Sequence, residues 1–191
     1  MNVFVAGASG VIGQPLLKLL RDAGHAVTGT TRSPSKIAMI ESLGARAVVA
    51  DAFDADALQR AVIAAKPDAI IHQLTDLPDV SDPAQMAVVR EKNARLRIEG
   101  TRNLMTAAKA AGVRRVVAQS IAFIYAAGRK PHREDDPLDQ SEAQRLTMAG
   151  VLALEDAVLG TPGIYNIAED DGEFSVEKAR RELGFDPAFR L

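Results

Sequence analysis

The stretch Gly7-Ala8-Ser9-Gly10-Val11-Ile12-Gly13 directly follows the apolar run Asn2-Val3-Phe4-Val5-Ala6 and precedes a segment with helical periodicity. A strand, a glycine-rich turn and a helix in this order form the arrangement that binds the pyrophosphate of a dinucleotide. Glycines permit the tight turn and a close approach of the backbone, and the start of the helix offers free N–H groups. The spacing differs by one residue from G-x-G-x-x-G. The predicted contacts to the dinucleotide are Gly7, Ser9, Gly10, Val11, Ile12 and Gly13.

Apolar runs and helical segments continue to alternate beyond this turn. Strands are predicted at 2–6, 25–31, 45–50, 69–74 and 115–119, and helices begin near residues 14, 34, 55 and 83. Strands that alternate with helices imply right-handed crossovers and a parallel sheet that is covered on both faces. The strands are continuous apolar runs, as expected for buried parallel strands. The predicted fold is therefore α/β, a doubly wound parallel sheet of the Rossmann type.

The pattern weakens towards the C-terminus. Residues 128–140 are polar and contain prolines, which favours a loop, and 141–159 is predicted to be helical although Gly150 weakens the pattern. A sixth strand is expected at 163–168, an acidic turn at 169–173 and a short helix at 175–183. We expect a dinucleotide-binding domain over residues 1–160 and a remnant of a C-terminal substrate-binding portion over 161–191.

Composition excludes several classes of function. The 191 residues include 23 lysines and arginines against 25 aspartates and glutamates, giving a formal net charge of −2, and no cysteine. Binding to a nucleic-acid backbone requires clustered excess cations, so no nucleic-acid partner is expected. The sequence contains no disulfide, no thiolate catalyst, no metal-ligand spacing and no apolar run near the roughly 20 residues that span a bilayer. These features predict a cytoplasmic protein that handles a small molecule.

The residues after the second strand determine which dinucleotide is expected. An acidic side chain there would bind a 2′-hydroxyl, whereas a cation would bind a 2′-phosphate. The chain has Thr31 and Arg32 and no carboxylate, so NADP is preferred over NAD, with a solvated loop arginine as the alternative. Asp51, with Ala52 beside it, would reach the adenine edge or serve only as a turn residue. Leu74, after the fourth strand, completes the predicted cofactor contacts.

His72 ends the fourth strand, where side chains approach the crevice of a doubly wound sheet. A single histidine in this setting is more often a structural residue with satisfied hydrogen bonds than an acid or base. We therefore expect His72 to be structural.

Several motifs together resemble the extended short-chain dehydrogenases/reductases of the NAD-dependent epimerase/dehydratase family. The similar stretches are 7–13, Asp51, 71–74, 99–104 and 116–125, with fragments at 163–168 and 178–185. The resemblance implies binding of NAD(P), hydride transfer at a sugar-like carbon, and a homodimer formed through two long helices.

The chain departs from this family at the catalytic positions. In this family, two consecutive residues follow the fifth strand, and the second of them carries a catalytic hydroxyl group. The next helix contains a Tyr-x-x-x-Lys pair. Here the two residues are Ser120 and Ile121, and counting back from Glu155 places Thr147 at the Tyr position and Val151 at the Lys position. Ser120 is the remaining candidate catalytic hydroxyl. The family's helical asparagine position is occupied by Arg97.

Two functions fit these features. One is an NAD(P)-dependent oxidoreductase or epimerase that acts on a sugar nucleotide or a small carbonyl or hydroxyl compound through an atypical site. The other is a non-catalytic NADP(H)-binding sensor or regulatory module. Relative to the family, segments are missing after Leu159 and after Asp171, either as a natural short form or because this sequence omits segments of the protein.

Overall fold

Five parallel strands form one sheet in the computed structural model, which describes residues 1–76, 83–158, 163–167 and 172–188. The strand order is β3-β2-β1-β4-β5. The strands are β1 Asn2–Ala6, β2 Ala26–Thr31, β3 Arg46–Val49, β4 Ala69–His72 and β5 Arg115–Ala118. The chain turns from one half of the sheet to the other between β1 and β4, which pair with Val5 opposite Ile71. The doubly wound fold is confirmed, and its ligand crevice is expected at this switch point.

Helices cover both faces of the sheet. They are α1 Gly13–Asp22, α2 Ile37–Ser42, α3 Ala55–Ala65, α4 Pro83–Arg95, α5 Thr101–Ala110, α6 Arg145–Ala157 and α7 Glu177–Leu183. Asp54 caps α3, because its carboxylate accepts a hydrogen bond from the Ala57 N–H at 2.9 Å. None of the helices in the described ranges is both long enough and apolar enough to cross a membrane.

The core lies in two layers, one on each side of the sheet. One layer packs Phe4 and Ile70 of the central strands against Leu58 of α3 and Leu104 of α5. The other layer contains Val3, Val5, Leu17, Val27 and Ile40, from β1, α1, β2 and α2. The alternation of Phe4 and Val5 between these layers shows how a continuous apolar strand supplies both faces.

The long helix predicted from residue 83 is interrupted by one wide turn. Residues Leu96–Gly100 form a π-helical segment between α4 and α5. Such turns are frequent at functional sites. Gly150 of α6, which weakened the predicted helix, is buried against α4, and a Cβ there would lie 3.0 Å from the Cα of Ala94. The glycine is therefore needed for the close approach of two helices.

The predicted sixth strand is wrong for the residues that can be compared. Residues 163–167 form no strand, and they lie against the 132–134 loop instead of the sheet. The Asn166 N–H donates to Glu134 Oε1 at 2.8 Å, and Asn166 Nδ2 donates to the His132 carbonyl at 3.2 Å. These hydrogen bonds hold Asn166 against the 132–134 loop, away from the sheet. Ala168 and most of the predicted acidic turn lie outside the described residues.

Candidate dinucleotide site

The glycine turn packs tightly against the end of β4 and the start of α1. Gly7 has a φ of 90°, and a Cβ at this position would lie 2.5 Å from the Gln73 carbonyl oxygen at the end of β4. A Cβ on Gly13 would collide with the carbonyl oxygen of Gly7. Any side chain at either position would force β4 or the start of α1 away. The two glycines therefore shape a shallow backbone cradle at the carboxyl edge of the sheet.

The start of α1 presents free hydrogen-bond donors in this cradle. Ile12 precedes the helix, and no side chain caps it. Among the described residues, no hydrogen-bond acceptor faces the backbone N–H of Val11 or of Ile12. Val11 is 90% exposed. Free N–H groups at a helix start, with the positive end of the helix dipole behind them, suit an anion such as a pyrophosphate.

The end of β2 is fixed to the same turn by hydroxyl groups. Ser9 Oγ donates to Thr31 Oγ1 at 3.1 Å, and the Ser33 N–H donates to the same oxygen at 3.1 Å. Thr31 is buried, whereas Arg32 is exposed and its guanidinium forms an ion pair with Asp76 at 2.9 Å. The structure therefore places Thr31 and Arg32 beside the glycine turn.

The β3–α3 connection holds Asp51 and Ala52 at the same edge of the sheet. The Asp51 carboxylate accepts a hydrogen bond from the Phe53 N–H at 2.9 Å, which is the local role of a turn residue. Ala52 is buried, and its carbonyl accepts from Asn103 Nδ2 at 2.9 Å. Asp51 itself is exposed, so it also remains available to a ligand.

His72 is a buried, neutral residue under the crevice. The Leu74 N–H donates to His72 Nδ1 at 3.2 Å, which leaves the proton on Nε2, 2.9 Å from Thr101 Oγ1. Burial, with a smaller contribution from the positive charge of Arg97, lowers the pKa of His72 to about 4. Both ring nitrogens are occupied, which favours the structural role over acid–base chemistry.

Ser120 lies just beyond β5 and donates a hydrogen bond to a carboxylate from α6. Its Oγ donates to Glu155 Oε1 at 2.6 Å, a short bond of the kind that hydroxyl groups form with ionised carboxylates. Glu155 is half-buried. The sequence indicated Glu155 only as a reference point for counting, because 35 residues separate it from Ser120.

Arg97 brings a positive charge to the same crevice. It lies on the π-helical turn and is partly buried, and this burial lowers the pKa of its guanidinium while the charge of Glu155 opposes that effect. Within the described ranges Arg97 forms no hydrogen bond and no ion pair, and Glu155 acts on it only through its charge. A partly desolvated cation without a hydrogen-bond partner is suited to a negatively charged or strongly polarised group of a ligand.

The two helical positions assigned by the resemblance do not carry an acid–base pair. Val151 is fully buried in an apolar cluster with Ile124 and Met148, and Ile121 packs against that cluster. Thr147 is half-buried on the same helix. Val151 thus contributes to apolar packing, whereas the partly exposed Thr147 keeps a hydroxyl group.

A cavity of about 490 Å³ lies in the C-terminal part of the chain. It is lined by side chains of both charges, including Arg133, Glu134, Lys178 and Arg181. None of the predicted cofactor residues lines it. No group of three histidine, aspartate or glutamate side chains in the described part of the chain is arranged to hold a metal ion.

Comparisons with known proteins agree with this geometry. The sequence model of a family described as NAD(P)H-binding matches residues 7–159. A 3-diazoavenalumate denitrifying reductase from Streptomyces is 47% identical over 136 residues, which cover 71% of this chain and 43% of that protein. A cinnamoyl-CoA reductase 1 from Petunia hybrida is 34% identical over 131 residues, which cover 64% of this chain and 36% of that protein.

Solved structures show the same fold. The UDP-glucose-4-epimerase of Stenotrophomonas maltophila, crystallised with NAD and formylated UDP-arabinopyranose, matches with a TM-score of 0.67 and 22% identity. The match covers 82% of this chain and 47% of the epimerase. The chain thus spans less than half the length of each of these three proteins.

Proposed function

Since this chain belongs to the NAD(P)H-binding family and to the extended short-chain dehydrogenases/reductases, we propose that it is an NADP(H)-dependent oxidoreductase. Its substrate would be a small carbonyl or hydroxyl compound or a sugar nucleotide. We further propose that residues 1–160 bind the dinucleotide and that 161–191 belong to the substrate side.

The observation that carries the proposal is the pair of free N–H groups at Val11 and Ile12. They lie in the glycine turn, where Gly7 and Gly13 leave no room for a Cβ against Gln73 and the Gly7 carbonyl, so the turn packs tightly between β4 and α1. A pyrophosphate fits both features, because it accepts several hydrogen bonds and carries negative charge. Thr31 and Arg32 lie beside the cradle and would bind a 2′-phosphate, which supports NADP over NAD.

In this proposal the bound nicotinamide supplies or accepts the hydride. Ser120 holds the substrate oxygen, and Glu155 exchanges the proton through the Ser120 hydroxyl. When an alcohol is oxidised, its hydroxyl proton passes to Ser120 while the Ser120 proton passes to Glu155. Reduction reverses this path. Arg97 stabilises negative charge on the substrate oxygen, since its partly buried guanidinium forms no hydrogen bond with the described residues.

We propose that this arrangement replaces the usual Tyr-x-x-x-Lys pair. The positions assigned to that pair are Thr147 and Val151, and Val151 lies in an apolar cluster. A general acid or base typically contributes a factor of about 10² to 10⁴ in rate. A site that relies on Ser120 and Glu155 should therefore lose activity on that scale when either group is removed.

The test measures NADPH oxidation with a panel of simple carbonyls and nucleotide sugars. We expect Ser120→Ala and Glu155→Gln to lower kcat by about 10² or more while NADPH affinity changes little. Ser141→Ala, at an exposed serine, is the matched control. Full activity in Ser120→Ala would refute the assigned chemistry, and failure of the unmutated protein to bind either NADPH or NADH would refute the function.

A non-catalytic NADP(H)-binding module is the second candidate. It is favoured by the burial of Val151 and by the commitment of the Ser120 proton to Glu155. Calorimetry distinguishes the two, because a sensor would bind NADPH at micromolar concentration, turn over no substrate on the panel, and bind a partner only with the nucleotide present.

A homodimer belongs to the same proposal. The long helix from Pro83 to Ala110, with its π-helical turn, packs along α6. These two helices expose Val88, Ile98, Leu146 and Leu152. Light scattering on the purified chain should give twice the mass of 20.3 kDa.

A further inference from the structure

A cavity of about 290 Å³ opens between the end of β2, the β3–α3 connection and α4. It lies next to the glycine turn, because Arg32 of its wall directly follows Thr31, which is bonded to Ser9. In a doubly wound fold the group after the second strand meets the 2′ position of the adenosine ribose. The lining residues are Arg32, Phe53, Asp76, Lys92, Arg95 and Leu96.

The three cationic side chains that line this cavity differ in their ionic partners. Arg95 is engaged twice, by an ion pair with Glu99 at 2.9 Å and by a position over the Phe53 ring at 4.3 Å. Arg32 is paired with Asp76, through contacts of 2.9 and 3.5 Å. Lys92 has no partner among the described residues. The cavity therefore offers one free ammonium group and one guanidinium that is occupied by an internal carboxylate.

Asp76 is held in place by a buried amide. The Asp76 N–H donates to Asn93 Oδ1 at 2.9 Å, and Asn93 Nδ2 donates to the Asp76 carbonyl at 2.7 Å. Asn93 is buried in α4 and also donates to the Val89 carbonyl at 3.1 Å. With its backbone bonded twice to a rigid helix, Asp76 can turn its carboxylate but cannot leave the cavity.

We propose that Asp76 determines the preference between NADP and NAD, and that Lys92 is a ligand of the 2′-phosphate. The Asp76 carboxylate accepts a hydrogen bond from a 2′-hydroxyl, so it favours NADH. It repels a 2′-phosphate and competes with it for Arg32, so it weakens NADPH binding. Lys92, which lines the cavity from α4, attracts the phosphate without losing another partner. The inference rests on the proposed function, because it assumes that a dinucleotide lies in the crevice.

The expected changes in NADPH and NADH affinity are large enough to measure. Two unit charges about 4 Å apart interact by enough to change a binding constant severalfold in water and far more in a partly desolvated site. Removing the Asp76 charge should therefore tighten NADPH binding by roughly tenfold and weaken NADH binding by a smaller factor. Removing the Lys92 charge should weaken NADPH binding by roughly tenfold and leave NADH within about twofold.

The experiment titrates NADPH, NADH and 2′,5′-ADP into the unmutated chain, Asp76→Asn, Lys92→Met and the control Glu41→Gln. Glu41 is an exposed carboxylate on α2 and lies outside the cavity. We expect the ratio of NADPH to NADH affinity to rise in Asp76→Asn, to fall in Lys92→Met and to stay constant in Glu41→Gln. The affinity for 2′,5′-ADP should follow that for NADPH, because the two share the 2′-phosphate.

The outcomes separate this inference from the proposed function. If the unmutated chain binds either dinucleotide but the ratio stays within twofold in both cavity variants, Asp76 and Lys92 do not set the preference. If it binds neither dinucleotide, the proposed function itself fails and takes the inference with it. Lys92 is exposed, so its substitution tests the cavity even if Asp76→Asn proves unstable.

Discussion

Replacing Ile12 by proline removes one backbone N–H from the glycine turn without removing a bond from the fold. The Ile12 N–H has no acceptor among the described residues, and its φ of −81° is close to the value that proline requires. Ile12→Ala is the matched control, because it truncates the same half-exposed side chain and keeps the N–H. The pair of variants therefore isolates one hydrogen-bond donor.

The expected loss follows from the charge of the acceptor. A hydrogen bond to a charged group contributes about 1.5–3 kcal/mol, which corresponds to a factor of roughly 10 to 150 in the dissociation constant. Ile12→Pro should weaken NADPH binding by this factor relative to Ile12→Ala. The assay is a titration that follows NADPH fluorescence, with the melting temperature of each variant measured in the absence of ligand.

The refuting result is equally specific. If Ile12→Pro melts like Ile12→Ala and binds NADPH equally well, the start of α1 does not hold the pyrophosphate. The same titration with NADH should show the same loss, because the two dinucleotides share the pyrophosphate.

Three further predictions concern stability. Asp54→Ala should lower the free energy of unfolding by about 0.5–2 kcal/mol through loss of the cap on the Ala57 N–H, whereas Asp54→Asn should retain most of it in urea titrations. Because the pKa of His72 falls from 6.5 in the unfolded chain to about 4 in the native state, only the unfolded state binds this proton between those values. Stability should therefore fall by about 2 kcal/mol from this group as the pH drops from 7 to 4.5, and His72→Gln should remove that component of the urea-measured pH dependence. Gly150→Leu should destabilise the chain by about 1–3 kcal/mol by separating α6 from α4, and an unchanged denaturation midpoint would show that the Ala94 contact is not limiting.

Features that depend on neighbouring residues could be predicted from the sequence. The glycine turn, the five strands and the Asp54 cap involve residues a few positions apart, so hydrophobic periodicity and turn chemistry were sufficient to place them. Periodicity was not sufficient at 163–168, because an apolar alternation becomes a strand only where a sheet edge receives it. In the structure, hydrogen bonds to Glu134 and His132 hold residues 163–167 in another position.

The sequence by itself determined the kind of fold and the position of the glycine turn, at which we propose that a pyrophosphate binds, because both depend on local backbone geometry. Only the tertiary structure decided which charges share the crevice. Asp76 meets Arg32 across 44 residues, and Glu155 meets Ser120 across 35. Such pairings depend on where separate loops and helices end in space, and no local pattern in the chain encodes that distance. Gly150 illustrates the same limit, since a glycine is required there because the backbone of α4 lies so close.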